Sequence, residues 1–276
     1  MCIRDRVGEV QRLDIIISII LGIIQGITEW LPISSTGHLL LAEEFLHMSV
    51  SNEFVNMFKV VIQLASVIAV IVLYFHKLNP FSSRKTPKQR WNTIELWMKV
   101  AVACIPSAVG LFIDDIVDEK LSNYVVISLM LIIYGVLFIV IEKWNKHRKP
   151  GVTKLKELTY WTAFGIGCFQ VLAMGPGTSR SGATIVGALL IGVARPVAAE
   201  FTFFLAIPTM VAASGLKLIK FGFNYTGHEI AVLLTGCVVS FLVSVFAIKF
   251  LMGYIKKHAF TVFGYYRLIL GVVVLG

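Results

Sequence analysis

Six apolar runs, at residues 54–75, 96–117, 124–141, 200–218, 230–252 and 260–275, each approach the length of a membrane-spanning helix. Such a helix needs roughly 20 residues, and lipid offers no partner to an unpaired N–H or C=O, so every backbone group must be satisfied within the segment. The chain is therefore expected to be an all-α integral membrane protein with six transmembrane helices. Composition agrees, with 57% of the 276 residues hydrophobic and 15% charged.

A net charge of +9 could suggest a nucleic-acid partner, but the cations gather in two short loops. One carries Lys77, Arg84, Lys85, Lys88 and Arg90, the other Lys143, Lys146, Arg148, Lys149, Lys154 and Lys156. Lysine and arginine in short loops mark the cytoplasmic side, so they read as topology signals and no nucleic-acid partner is expected. Asp114, Asp115, Asp118 and Glu119 fall on the opposite side, and Lys256 and Lys257 inside again. Cys104, Cys168 and Cys237 sit singly in apolar runs, without the spacing of a metal or disulfide framework.

Two regions do not read as single spans. Residues 13–28 followed by 39–46, and 158–174 followed by 183–193, are apolar pieces joined by polar turns containing Pro32 and Pro176. Irregular backbone survives at membrane depth only inside protein or beside a watery cavity, so each pair is expected to form a re-entrant helical hairpin with a buried tip. Residues 1–12 are polar and mixed in charge, an extension expected to lie outside the fold. The run that follows leads into Glu29-Trp30-Leu31-Pro32 rather than a small-residue cleavage site, so it is expected to be retained. Residues 13–276 form one membrane domain. Its halves, about 13–142 and 158–276, hold three spans each and so run in opposite directions. Gly22, Gln25, Pro32, Ser34 and Ser35 are echoed by Gly167, Gln170, Pro176, Thr178 and Ser179, which predicts an inverted-topology repeat with sites at the midplane.

The tips carry the chemistry. The second, from Pro176 to Thr184, sets Arg180 among Thr178, Ser179, Ser181 and Thr184. An arginine near a bilayer midplane costs about 2.5–3.5 kcal/mol on insertion scales, so it is expected to face a partner or a cavity. Gly177 lets backbone approach a ligand, and a hydroxyl at 178 or 179 can cap a helix whose free N–H groups would point at an anion. Phosphate fits these features. In the first tip Gln25 and Glu29, four residues apart, share a helical face, with Ser34, Ser35, Thr36 and His38 following. Carboxylate, hydroxyl and imidazole opposite an arginine-bearing cradle suit phosphoryl transfer.

Plainer readings compete. A single membrane hydroxyl is commonly structural, and Glu29 and Arg180 could form a structural pair. His38 could be an interior histidine, whereas His47, His76, His147, His228 and His258, in loops or at segment ends, read as bystanders. Lys99, Lys217, Lys249 and Arg267 read as snorkelling cations. Phe201, Phe203 and Phe204 could line a lipid tail or simply pack.

At its two tips the chain resembles the undecaprenyl pyrophosphate phosphatase family of the bacitracin-resistance type. Gln25 to Glu29 is similar to the family's Glu/Gln-x-x-x-Glu signature, Pro32 to His38 continues it, and Pro176 to Thr184 matches Pro-Gly-x-Ser-Arg-Ser-x-x-Thr throughout. The resemblance runs from about residue 13 to the C-terminus and departs at Gln25, where many members carry a second Glu. It implies hydrolysis of undecaprenyl pyrophosphate to undecaprenyl phosphate and phosphate, at a bacterial inner (plasma) membrane, with a divalent cation, Mg²⁺ or Ca²⁺, at Glu29. The roles expected from residues and resemblance together are catalysis by Glu29, Ser35, His38 and Arg180. Gln25, Ser34, Thr36, Gly177, Thr178, Ser179, Ser181 and Thr184 are expected to hold substrate. The nucleophile is Ser35 or a water activated by Glu29 or His38. The expected partners are a polyprenyl pyrophosphate and the bilayer, and a homodimer is compatible with the chain. A transporter or flippase of a phosphorylated lipid or anion would share the repeats and broken helices. A histidine-nucleophile lipid phosphatase would need a His soon after Ser179-Arg180, and none follows until His228.

Overall fold

A computed structural model describes residues 3–110, 123–222 and 225–275, and their regular structure is helical. The helices are α1 (Ile3–Thr28), α2 (Ser35–Glu43), α3 (Asn52–Leu73), α4 (Phe75–Leu78), α5 (Pro87–Gly110), α6 (Tyr124–Asn145), α7 (Tyr160–Val171), α8 (Arg180–Ile191), α9 (Arg195–Phe221), α10 (Gly227–Tyr254) and α11 (Thr261–Leu275). Short 3₁₀ turns precede and follow α7 at Leu155–Glu157 and Leu172–Met174. Among the described residues there is no strand, only an isolated bridge between Val152 and Val193. Several helices start where a side chain can take an orphan N–H: Ser34, Ser51, Asn123, Thr159, Ser179 and Thr226 each cap the helix they precede.

Among the described residues, five helices are long and apolar enough to cross a membrane: α3, α6, α9, α10 and Gly8–Thr28 of α1. They differ from the six runs in the sequence in three places. Nothing between Ile3 and Thr28 breaks a helix, so the polar N-terminal residues continue α1 and its apolar part is not a short piece. The run 96–117 is described only to Gly110, in a helix whose earlier turns carry Lys88, Arg90, Glu95 and Lys99. α11 has 15 residues, about 22 Å at 1.5 Å per residue, short of a hydrocarbon core of about 30 Å. Asp114, Asp115, Asp118 and Glu119 lie outside the described residues.

Without water to drive them together, membrane helices associate by close packing and by hydrogen bonds between helices. α1 runs along α10, α6 along α11 and α5 along α7, while α3 packs on both α9 and α10. Gly135 and Gly264 set the approach of α6 to α11: a Cβ on Gly264 would lie 2.8 Å from the Gly135 carbonyl, and one on Gly135 would lie 2.9 Å from the Gly264 carbonyl. Ser66 and Ser240 bond across α3 and α10 at 2.7 Å. α8 occupies the interior, with every residue from Ser181 to Leu189 buried.

Gly264→Val should force α6 and α11 apart and lower the thermal midpoint in detergent by an amount equivalent to about 1–3 kcal/mol, the usual effect of overpacking. Gly253, with nothing near its Cβ position, is the control. A midpoint for Gly264→Val no lower than that of Gly253→Ala would contradict the close approach.

Candidate active site

The turns after α1 and before α8 meet in the interior. α1 ends one residue before Glu29, whose N–H still bonds Gln25 O at 3.0 Å, so the carboxylate projects from the last turn into the tip. After Pro32 the chain restarts as α2 at Ser35, with Ser34 as N-cap; after Pro176 it restarts as α8 at Arg180, with Ser179 as N-cap. The two caps share an unusual backbone, φ 76° at Ser34 and φ 70° at Ser179, the only non-glycine residues with positive φ among those described. Such conformations cost of order 1–3 kcal/mol each and persist where surrounding contacts over-determine them. Each cap hydroxyl accepts from the N–H three residues on, Gly37 at 3.3 Å and Gly182 at 3.2 Å.

Between the tips lies an ion pair. Arg180 Nη2 donates to Glu29 Oε1 at 2.7 Å, with Glu29 4% and Arg180 15% exposed. Glu29 Oε2 accepts from Gln25 Nε2 at 2.9 Å and from Ser35 Oγ at 2.8 Å. Three donors thus converge on one buried carboxylate. Arg180 is left with Nε and Nη1 buried and without an acceptor, and Gln25 Oε1 is likewise unpartnered. Buried polar groups are nearly always paired, so orphan donors on an arginine at the N-terminus of α8 point to an anion.

Other residues named from the sequence are placed differently. Ser181 Oγ reaches the Glu29 carbonyl at 3.3 Å and closes the tips against each other. Ser179 Oγ shares a 3.2 Å contact with Ser181 Oγ, and Thr36 is exposed on the first turn of α2. Thr178 is buried, while Thr184 bonds the Arg180 carbonyl at 2.9 Å and receives Thr202 Oγ1 at 3.0 Å, so its hydroxyl is occupied by packing. Gly177 serves a close approach, with φ 84°, but to protein: a Cβ there would lie 2.7 Å from the Ile127 carbonyl. Both His38 ring nitrogens have partners other than Glu29; Nδ1 lies 2.7 Å from the Ser34 carbonyl, Nε2 2.7 Å from the Tyr266 hydroxyl, and the two rings stack.

Arg267 does not snorkel. It is fully buried, with Nη2 donating to Gly177 O at 2.9 Å and Thr178 O at 2.8 Å and Nη1 to Pro32 O at 3.3 Å, and its guanidinium lies 5.4 Å from the Tyr134 ring. One side chain therefore holds both tips by their carbonyls. The signal was present: Arg267 sits in the middle of the run 260–275, where the insertion cost that singled out Arg180 applies equally. Tyr266, the partner of His38, had no such signal. Lys99 is also buried, paired with Glu95 at 2.7 Å, and His228 bonds buried Asp14 at 2.8 Å, so neither is a free surface group. Lys217 and Lys249 are exposed, in keeping with snorkelling. Phe201, Phe203 and Phe204 are fully buried among protein side chains, Phe203 edge-on to Trp30 and Phe204 to Tyr74, which excludes them as a lipid-facing wall.

Comparison with known proteins covers nearly the whole chain. The family described as Bacitracin resistance protein BacA matches residues 18–273. A protein of Desulfitobacterium hafniense named undecaprenyl-diphosphatase is 58% identical over 264 residues, 95% of each chain. Proteins of the same name from Enterococcus faecalis and Lactiplantibacillus plantarum are 57% identical over 263 residues and 58% identical over 268 residues; the shares covered are 94% of this chain and 95% of the former, and 96% of this chain and 98% of the latter.

Arg267→Ala should strand three buried carbonyls, at about 1–3 kcal/mol for each unsatisfied group, and lower the thermal midpoint in detergent sharply. Arg267→Lys, able to serve one tip but not both, should fall between. An unchanged midpoint in Arg267→Ala would mean that the tips hold together without it.

Proposed function

The chain belongs to the Bacitracin resistance protein BacA family, and from that premise we infer that it is an undecaprenyl-diphosphatase. It hydrolyses undecaprenyl pyrophosphate to undecaprenyl phosphate and inorganic phosphate, which recycles the carrier lipid of cell-wall synthesis and confers bacitracin resistance. The observation that carries this reading is the buried Glu29–Arg180 pair, with Ser35 on the carboxylate and unpartnered donors on the guanidinium.

In the mechanism we infer, Arg180 Nε and Nη1 and the first N–H groups of α8 take the pyrophosphate oxygens, held where charge develops in the transition state. Ser35 Oγ attacks the terminal phosphorus as its proton passes to Glu29 Oε2, 2.8 Å away. The bond to the bridging oxygen breaks and Glu29 passes the proton to the departing undecaprenyl phosphate; ionised again, Glu29 takes a proton from water, whose oxygen attacks the phosphoserine phosphorus, and returns it to Ser35 Oγ as phosphate is released. His38, bonded to Ser34 and Tyr266, supports the backbone of this tip rather than acting as base. Hard oxygens suit a divalent cation, Mg²⁺ or Ca²⁺, and the unpartnered Gln25 Oε1 beside Glu29 fits one. Glu29 and Gln25 would hold it, with substrate phosphate completing its shell, and when bound it would supply charge neutralisation on the phosphoryl oxygens.

The finer architecture belongs to the same proposal: six spans, α3, α5, α6, α9, α10 and α11, with α1–α2 and α7–α8 as re-entrant hairpins and a membrane domain that begins at residue 13, within α1. The packing supports an inverted repeat. α1 lies on α10 as α7 lies on α5, so the first helix of each half packs on the fourth of the other, leaving the one-turn α4 out of the count. Gly22 and Gly167 mark equivalent close contacts: a Cβ would lie 2.9 Å from the Gly236 carbonyl in one and 2.1 Å from the Ala103 carbonyl in the other. The location is the bacterial inner membrane, with a polyprenyl pyrophosphate and the bilayer as partners and no nucleic acid; a homodimer is compatible with this reading.

Purified protein in detergent should release phosphate from undecaprenyl pyrophosphate without any gradient and lose that activity with chelator; absence of release would leave the transporter reading. Arg180→Ala should lose about 10²–10³ in rate, the usual effect of removing one preorganised donor.

Glu29→Gln should abolish nearly all turnover while Gln25→Glu keeps a substantial part of it, with an altered pH–rate profile, since two carboxylates one turn apart raise one pKa. Near wild-type turnover in Glu29→Gln would remove that carboxylate as base and as metal ligand.

A further inference from the structure

Far from the tips in the sequence, between α4 and the first turns of α5, lies a cavity of about 390 Å³ whose lining includes His76, Lys77, Arg84, Lys85, Asn92 and Thr93. Among the described residues no carboxylate lines it. Lys77 is paired with Glu200 of α9 at 2.6 Å, but Arg84 has no ion-pair partner among the described residues. Lys85 Nζ bonds only neutral oxygens, the Lys77 carbonyl at 3.0 Å and Thr93 Oγ1 at 2.6 Å. Partial burial holds this ammonium below the ordinary lysine range, a loss that a bound anion would reverse.

The surroundings say where the anion comes from. Phe75, Phe81 and Trp91, on the segments that frame the cavity, are 51%, 87% and 60% exposed. Large aromatic side chains so exposed are at home in the headgroup layer of a bilayer. Basic pockets at the cytoplasmic ends of membrane helices fit lipid phosphate, the cations meeting the headgroup while neighbouring apolar groups enter the acyl boundary. The Asn92 amide adds donors that a bare topology signal would not need, while the Thr93 hydroxyl, bonded to the Gln89 carbonyl at 3.0 Å, holds Lys85 in place.

We propose that this cavity is a binding site for the phosphate group of an anionic membrane lipid, separate from the site of hydrolysis. The proposal rests on reading the chain as a membrane protein with this loop at the cytoplasmic face, and not on the chemistry assigned to Glu29 and Arg180.

The test is lipid retention by the full chain in detergent, followed by native mass spectrometry with phosphatidylglycerol or phosphatidylcholine and no pyrophosphate substrate. Phosphatidylglycerol should be retained preferentially. The double variant Arg84→Ala/Lys85→Ala should weaken its retention about thirtyfold, the combined effect of two headgroup cations, while Lys88→Ala/Arg90→Ala, in the first turn of α5 and outside the cavity, should not. Arg84→Lys, which keeps the charge, should retain most of the binding and so separates a lost anion site from a folding defect. Equal losses in the two double variants, or none in the first, would overturn the site. Displacement of phosphatidylglycerol by millimolar inorganic phosphate would overturn the lipid as its ligand in favour of a soluble anion. Phosphate release by the same variants is read separately, so a chain that hydrolyses nothing yet retains the lipid fails only the enzymatic reading.

Discussion

The ion pair between Glu29 and Arg180 is the interaction on which the rest of the structure depends. Its partners are 151 residues apart and both lie in the interior. Leaving either charge alone there would cost several kcal/mol, so the pair requires the two polar tips to arrive together. That requirement fixes where α1 ends and α8 begins, and it explains Arg267, which holds the carbonyls of both tips at once. Stability alone gives no reason to keep such a pair, since well-packed apolar residues often do as well. The unpartnered donors of Arg180 do give one, because they leave room in its hydrogen bonding for an anionic substrate.

The two tips are alike in backbone and unlike in chemistry. Ser34 and Ser179 have the same cap geometry and the same strained φ, yet the next residue is Ser35 in one and Arg180 in the other. Gln25 and Gln170 occupy matching places; four residues on stand Glu29 and Met174. One tip therefore supplies carboxylate and hydroxyl and the other the cation. On a common backbone, this division gives a near-symmetric frame two unlike sides, carboxylate and hydroxyl on one and guanidinium on the other.

Away from the tips, buried charge serves a different end. Asp14 of α1 accepts from the Ser49 N–H at 2.7 Å and bonds His228 at the start of α10, while Glu142 of α6 holds Arg195 and the Phe260 N–H. Each carboxylate ties a connecting segment to helix ends and has its oxygens satisfied by protein groups. Neither leaves the orphan donors that mark Arg180.

The sequence by itself determined that the chain is helical and membrane-embedded, because apolar runs near 20 residues leave no other way to satisfy a backbone in lipid. It also singled out Glu29, Ser35 and Arg180 as candidates for chemistry, because charge and hydroxyls interrupt sequence that lipid would otherwise accept. Only the tertiary structure decided which of these groups meet. Ser35 rests on Glu29 while His38 turns to Tyr266, a difference of rotamer and helix facing that spacing does not encode. Thr184 and Gly177 match the motif yet are used for packing, and Phe203 is enclosed by protein, because burial depends on what lies opposite. Arg267 was legible as a costly charge within an apolar run, but not as the link between two turns. That role exists only once residues distant in the chain are brought to the same depth.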